Sequence, residues 1–106
     1  SMDEYRLEHL SDMLFEHMIV VAVFYTYKND LDIETIEKIC TYADVTKLSP
    51  RVAIAELVSH GIVSAKIQNG EVCYKITEFG KYFFSVVCET NPDAKEICEK
   101  VRGYTE

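Results

Sequence analysis

Histidine and cysteine are the residue types of this sequence that could bind a metal ion or act as nucleophiles. No two of the four cysteines form a C-x-x-C pair, so zinc-ribbon and thioredoxin-like motifs are absent. His9, His17 and His60 have no ligand spacing with one another or with the cysteines, and we interpret them as surface or interface residues. The sequence predicts no metal, no cofactor, and buried or half-buried free thiols. The alternative for the thiols is a disulfide between Cys88 and Cys98.

Acidic residues near the start of the chain are the candidates for paired catalytic carboxylates. They stand at positions 3, 4, 8, 12 and 16, a spacing typical of the solvent-facing side of a helix. The sequence has no nucleophile elbow, no glycine-rich phosphate loop and no His-Glu metal motif. We therefore expect that the protein is not an enzyme. Free thiols and the lack of a secretory leader favour a cytoplasmic protein, or a nuclear one in a eukaryote.

Basic residues are concentrated in one segment of an acidic chain. The formal net charge is −7. Residues 1–46 hold ten acids and three bases, and residues 78–106 hold six acids and four bases. Residues 47–77 hold four bases and two acids, so this segment alone has a net positive charge. The overall charge argues against a general nucleic-acid binder, while the segment 47–77 is the part that could contact an anionic partner.

The first predicted element is a long helix over residues 4–27. Its apolar residues recur at three- and four-residue spacing, and residues 15–24 are apolar on more than one face. Such a helix is buried on more than one side, and in a small protein a partner subunit could bury its second apolar face. A start at Ser11 and Asp12 would instead split the segment in two. The longest apolar run has eight residues, whereas a bilayer span needs about 20, so no membrane segment is expected.

Two more helices are predicted before residue 61. Asp32 is a good N-cap for a second helix that runs to about residue 43. Ser49 followed by Pro50 is a strong start signal for a third helix, which ends at Gly61. On this third helix the pattern directs positions 53, 54, 57 and 58 to the core and positions 49, 51, 52, 55, 56 and 59 outward.

A β-hairpin and two further helices complete the predicted order. Residues 63–68 and 72–76 alternate in polarity, and Asn69-Gly70 between them is the strongest short hairpin signal. Thr77 caps a fourth helix, which breaks at residues 91–92, and residues 93–102 form a short last helix. There is no internal repeat and no linker, so residues 1–106 are expected to form a single domain.

The segments Leu-Val-Ser-His-Gly-Ile-Val (57–63) and Tyr-Lys-Ile-Thr-Glu-Phe-Gly (74–80) together resemble the winged helix-turn-helix superfamily, including MarR- and ArsR-like DNA-binding regulators. The resemblance covers about residues 12–88, with flanking helices at about 4–11 and 93–102. It implies an α+β, mostly helical fold in the order helix-helix-helix-hairpin-helix.

The resemblance implies that the third helix enters the DNA major groove and that the hairpin, or wing, contacts the backbone or minor groove. The basic residues of the third helix and the wing are expected to point outward on the same side of the molecule. The candidate DNA-binding residues are Lys47, Ser49, Arg51, Val52, Ala55, Ser59, Lys66, Gln68, Asn69 and Lys75. Glu56 lies on the same helix, where it would repel phosphate. Exposed Val52 and Ala55 could contact thymine methyl groups or another protein.

A homodimer is expected because MarR-like proteins dimerise through helices that flank the winged core. The candidate dimer-interface residues are Leu10, Leu14, Met18, Phe84, Ile97 and Val101. The predicted function is sequence-specific binding of double-stranded DNA by a small dimeric transcriptional regulator. The alternative is a winged-helix module that binds another protein within a larger assembly and does not bind DNA.

Overall fold

Three helices precede a β-hairpin and two follow it in the part of the chain that the computed structural model describes, residues 17–43 and 49–104 together with residues 8, 9 and 12. The helices are α1 (Met18–Thr26), α2 (Ile33–Tyr42), α3 (Pro50–Ser59), α4 (Glu78–Thr90) and α5 (Pro92–Arg102), and the strands are β1 (Leu31–Asp32), β2 (Val63–Gln68) and β3 (Glu71–Ile76). The prediction of a mostly helical α+β protein is confirmed, and the order is compatible with a winged-helix-like layout.

The sheet is antiparallel, with strand order β1-β3-β2. Asn69 (φ 53°) and Gly70 (φ 80°) both have positive φ, as a two-residue type I′ turn requires, so the predicted hairpin is confirmed. Strand β1 was not predicted, because two residues are too short to show alternation. It pairs Leu31 with Tyr74 and Asp32 with Cys73, and so joins the start of α2 to the hairpin.

The helix starts confirm the predicted caps. The Asp32 carboxylate accepts a hydrogen bond from the backbone N–H of Thr35 at 2.8 Å, and the Ser49 hydroxyl accepts from that of Arg51 at 3.3 Å. At the start of α4 the backbone N–H of Gly80 donates to Thr77 Oγ1 at 2.9 Å. Each cap satisfies a backbone donor that the helix itself leaves unpaired.

Replacing Asp32 by alanine is expected to lower the free energy of unfolding by about 1 kcal/mol. Hydrogen bonds from Thr35 hold the pKa of Asp32 below its ordinary value of 3.8. Because this pKa is lower in the folded than in the unfolded chain, the stabilisation is complete above pH 3.8 and is lost as the pH falls through the folded pKa. Urea unfolding of both proteins at neutral pH and at about pH 2 tests this. An equal difference at the two pH values would contradict the assignment.

Helix α1 is covered by the rest of its own chain. The side chains of Val20, Val21, Ala22, Val23 and Phe24 are all buried, and α1 packs mainly against α5, with further contacts to α2, α3, α4 and β3. The hydroxyl of Tyr27 donates to the carbonyl of Val101 at 3.0 Å and holds the end of α1 to α5. The apolar residues of α1 are therefore covered by other parts of the same chain, and a partner subunit is not required to explain their burial.

The candidate dimer-interface residues do not share one surface in the structure. Met18, Phe84 and Val101 lie in the core of the single chain, and Ile97 is half-buried against that core. Leu10 and Leu14 lie outside the described residues. The rings that α4 does expose belong to Phe79 and Tyr82, not to Phe84. In the described part of the chain, no helix is long and apolar enough to cross a bilayer.

Candidate interaction surface of helix α3 and the hairpin

The outer face of α3 carries the residues that its pattern predicted. Ser49, Arg51, Val52, Ala55 and Ser59 are exposed. The opposite face buries positions 53, 54 and 57 in the core, which confirms the predicted orientation. Position 58 is the exception, because Val58 is only half-buried. Its side chain lies at the edge of the core, where α3 turns toward the hairpin.

A groove lies between α3, the start of α2 and the hairpin. Its volume is about 720 Å³. Its apolar lining comes from Ile33, Ile54, Ala55, Val58, Ala65, Val72 and Tyr74, and its polar lining from Asp32, Glu34, Arg51 and Glu71. Two of the lining residues, one on α3 and one on β2, are alanines, whose side chains fill little of the groove.

The apolar surface continues from the groove onto the hairpin and along α3. The side chain of Ile67, which pairs across the strands with Val72, is 78% exposed, and Val72 itself is 45% exposed. On α3, Val52 is 52% exposed and lies one turn before Ala55 on the same helix face. Contiguous exposed apolar surface of this kind is typical of a binding site for another molecule.

Carboxylates outnumber cations around this groove. Its lining contains three carboxylates and one guanidinium. The guanidinium of Arg51 lies 3.3 Å from a carboxylate oxygen of Glu37, so even this cation is partly neutralised. Both partners are exposed, and such a pair contributes at most about 1 kcal/mol to stability. Arg51 is thus free to exchange its partner, but its surroundings are acidic.

Lys66 lies on the opposite face of the hairpin from Arg51. Side chains alternate along a strand, so Lys66 and its cross-strand partner Cys73 point away from the face of Ala65 that lines the groove. The Lys66 ammonium is 3.0 Å from the carboxylate of Asp30 in the loop after α1. The expectation that the cations point outward together is therefore wrong for Arg51 and Lys66.

The remaining candidate DNA-binding residues lie on the hairpin or outside the described residues. Lys75 pairs with Ser64 and shares the face of Lys66, and Gln68 and Asn69 are exposed at the tip. Lys47 falls outside the described residues. The structure thus separates the hairpin cations from the outer face of α3.

Glu56 has a partner that the sequence did not indicate. Its carboxylate lies 2.9 Å from Nε2 of His17, and the His17 side chain is 1% exposed. The interpretation of His17 as a surface or interface histidine is therefore wrong, because the residue is buried within the single chain where α1 begins. Glu56 thus joins α3 to the start of α1, while its side chain stays 47% exposed on the helix.

Replacing Glu56 by alanine is expected to cost about 1–3 kcal/mol of stability, since the buried ring nitrogen of His17 loses its hydrogen-bond partner. Glu37→Ala is the matched control, because it removes a helix carboxylate whose partner, Arg51, is exposed. We expect the control to cost less than about 1 kcal/mol. Urea unfolding of both variants measures the difference, and equal costs would show that the His17 contact contributes nothing specific.

All four cysteines are free thiols, with Cys40 and Cys98 buried and Cys73 and Cys88 half-buried, which confirms the prediction of buried or half-buried thiols. The thiols of Cys88 and Cys98 lie within hydrogen-bond distance of each other. Burial raises the pKa of Cys40 and of Cys98 to about 11, so both thiols stay protonated at neutral pH and are poor nucleophiles. Within the described ranges, no group of three His, Cys, Asp or Glu side chains is placed to hold a metal ion.

Sequence reasoning missed the groove residues on the hairpin and at the start of α2. It interpreted Val72 and Tyr74 as one face of an amphipathic strand and assigned them no partner. The available signal was the apolar character of one hairpin face, which carries Ala65 and Ile67 beside Val72 and Tyr74. No protein-family model, curated protein or solved structure matches the chain. Its function is therefore inferred from the surface described above.

Proposed function

We propose that the chain is a winged-helix module that binds another protein through the groove between α3 and the hairpin. The observation that carries this proposal is the apolar lining of an open groove of about 720 Å³. Full burial of a fully exposed aliphatic side chain contributes about 1.5–3 kcal/mol. Val52, Ile67 and Val72 are already partly buried, so covering each of them contributes a part of this. The three together offer several kcal/mol to an apolar partner and almost nothing to a phosphate backbone.

Charge supports the same choice. A DNA backbone running along α3 would meet Glu34 and Glu71 at the groove, and the hairpin cations Lys66 and Lys75 lie on the other strand face. DNA affinity depends on the number of phosphates that Lys and Arg neutralise. With Arg51 close to Glu37 and Lys66 close to Asp30, few cations are available for this task. The net charge of −7 adds a long-range repulsion.

Double-stranded DNA binding by a homodimer is the second candidate. The observation that favours it is the exposure of Ser49 and Arg51 at the N-terminal end of α3, together with exposed Gln68 and Asn69 at the hairpin tip. In a dimer, two such half-sites would bind the same duplex, and the affinity for DNA would exceed that of either half-site alone. Under this candidate, Arg51→Ala costs about 1–3 kcal/mol at one base position, whereas Lys66→Ala weakens all sequences alike.

One binding experiment separates the two candidates. Peptides selected from a random library displayed on phage, and a mixed-sequence DNA duplex at low salt, are each titrated into the protein and followed by two-dimensional amide NMR. We expect the peptides to shift the amides of Ala55, Val58, Ala65 and Val72, and the duplex to leave them unchanged. Binding of the duplex that weakens steeply with salt, with no peptide in the groove, would establish the second candidate instead.

A pair of variants makes this experiment specific. Val72→Ser removes an apolar side chain from the groove and is expected to weaken the selected peptides about tenfold. Val86→Ser is the matched control, because Val86 is 43% exposed, close to the 45% of Val72, but lies on α4 outside the groove. Equal losses in the two variants would show that the peptides do not bind in the groove.

A further inference from the structure

We infer that the partner segment carries apolar side chains flanked by lysine or arginine. This inference rests on the protein-binding function proposed above and specifies the chemistry of the partner. Glu34 and Glu71 are exposed at the edge of the groove, one at the start of α2 and one at the start of β3. The pairing of Asp32 with Cys73 directs the chain after Asp32 toward Glu71, so cations beside an apolar centre would meet these two carboxylates while the centre enters the groove.

A third carboxylate adds to this field. Asp32 lines the same groove and is the N-cap of α2. Hydrogen bonds from Thr35 keep the pKa of Asp32 low, so the group is ionised at neutral pH. Its charge is partly offset by the positive end of the α2 dipole. The two exposed glutamates therefore contribute most of the attraction that a basic partner would experience.

Because the groove has an apolar lining, it would recognise apolar side chains of the partner as well as its charge. Val72 and Tyr74 of β3 face Ala55 and Val58 of α3 across the groove. Alanine at position 55, and at position 65 on β2, leaves room for side chains that the protein itself does not supply. A purely basic segment would leave this apolar surface exposed to water, whereas an apolar segment with basic flanks covers it.

The same charges disfavour the other occupants. A nucleic acid would bring phosphates against carboxylates. A second copy of this chain would bring a net charge of −7 against an acidic groove. A nucleic acid has no cations for the edge of the groove, and a second copy would bring an excess of carboxylates, so a basic segment of a different protein is the best match.

The test measures how the charge of a peptide's flanks controls its binding. Binders from the random-peptide phage library are synthesised and titrated by fluorescence anisotropy at low and high salt. We expect the binders to place Lys or Arg next to an apolar centre. Versions with these residues replaced by Glu should bind at least about tenfold more weakly, and the difference should shrink as salt rises.

Paired substitutions locate the effect. Glu34→Gln with Glu71→Gln removes two carboxylates at the groove without adding bulk, and is expected to weaken the basic-flanked peptides about tenfold. Glu96→Gln with Glu99→Gln removes the same charge from exposed positions of α5, which does not line the groove. This control should leave the affinity within about twofold. Circular dichroism checks that both proteins keep their fold.

The outcomes separate the inference from the function on which it rests. Peptides that shift the groove amides but have neutral or acidic flanks would overturn the inference and leave protein binding in place. So would an unchanged affinity in the variant at positions 34 and 71. A failure of every selected peptide to shift the groove amides would overturn the protein-binding function as well.

Discussion

Replacing Phe84 by alanine is expected to lower the free energy of unfolding by about 3–5 kcal/mol. The ring is 0% exposed and lies edge-on to Tyr25, with centroids 5.1 Å apart. Removing the ring leaves a cavity between side chains of α1 and α4. The surrounding residues are closely packed and cannot move to fill it. Urea unfolding measures the loss as a lower midpoint with an unchanged slope.

Tyr82→Ala is the control for this prediction. Tyr82 belongs to the same helix, but its side chain is 70% exposed, so we expect a loss within about 0.5 kcal/mol. The pair also tests the dimer interface that the sequence predicted at Phe84. If Phe84→Ala kept its stability and instead abolished self-association in sedimentation, the ring would belong to a subunit interface and not to the core.

Replacing Gly80 by alanine is expected to cost about 2–3 kcal/mol, the second-largest effect. A Cβ at this position would collide with the backbone oxygen of Ile62 and would lie 2.9 Å from Cγ1 of Ile76. The Ile62 carbonyl is held in place because it accepts a hydrogen bond from the backbone N–H of Thr77 at 2.9 Å, while the Thr77 hydroxyl lies 2.6 Å from the neighbouring Gly61 carbonyl. The gain in helix propensity, about 1 kcal/mol, is too small to compensate.

Gly103→Ala is the matched control for Gly80→Ala. A Cβ there would lie 2.6 Å from the hydroxyl of Tyr42, the far end of a side chain that is half exposed and can rotate. We therefore expect a loss below about 1 kcal/mol in thermal or urea unfolding. A small effect of Gly80→Ala, similar to that of Gly103→Ala, would mean that α4 can shift away from residue 62 without loss of packing.

Features that depend on residues close together in the sequence could be predicted. The caps of Asp32, Ser49 and Thr77 are hydrogen bonds to backbone groups two or three residues away, so residue type and position were enough to identify them. Asn69-Gly70 predicted the turn because these residues tolerate positive φ. The buried and exposed faces of α3 followed from its helical period. The resemblance to winged-helix regulators rests on the same local signals, and DNA binding and dimerisation remain predictions.

Features that depend on which faces meet were decided only by the tertiary structure. The period of α1 indicated burial on several sides but could not say that α5 of the same chain, about 75 residues away, supplies the cover. Likewise, the sequence could not pair His17 with Glu56, 39 residues apart. A count of charges includes Arg51 and Lys66 without their positions. In the structure the two side chains lie on different faces, and each is close to a different carboxylate. Long-range packing sets these contacts, because many remote partners satisfy the same local pattern and only the folded chain selects one.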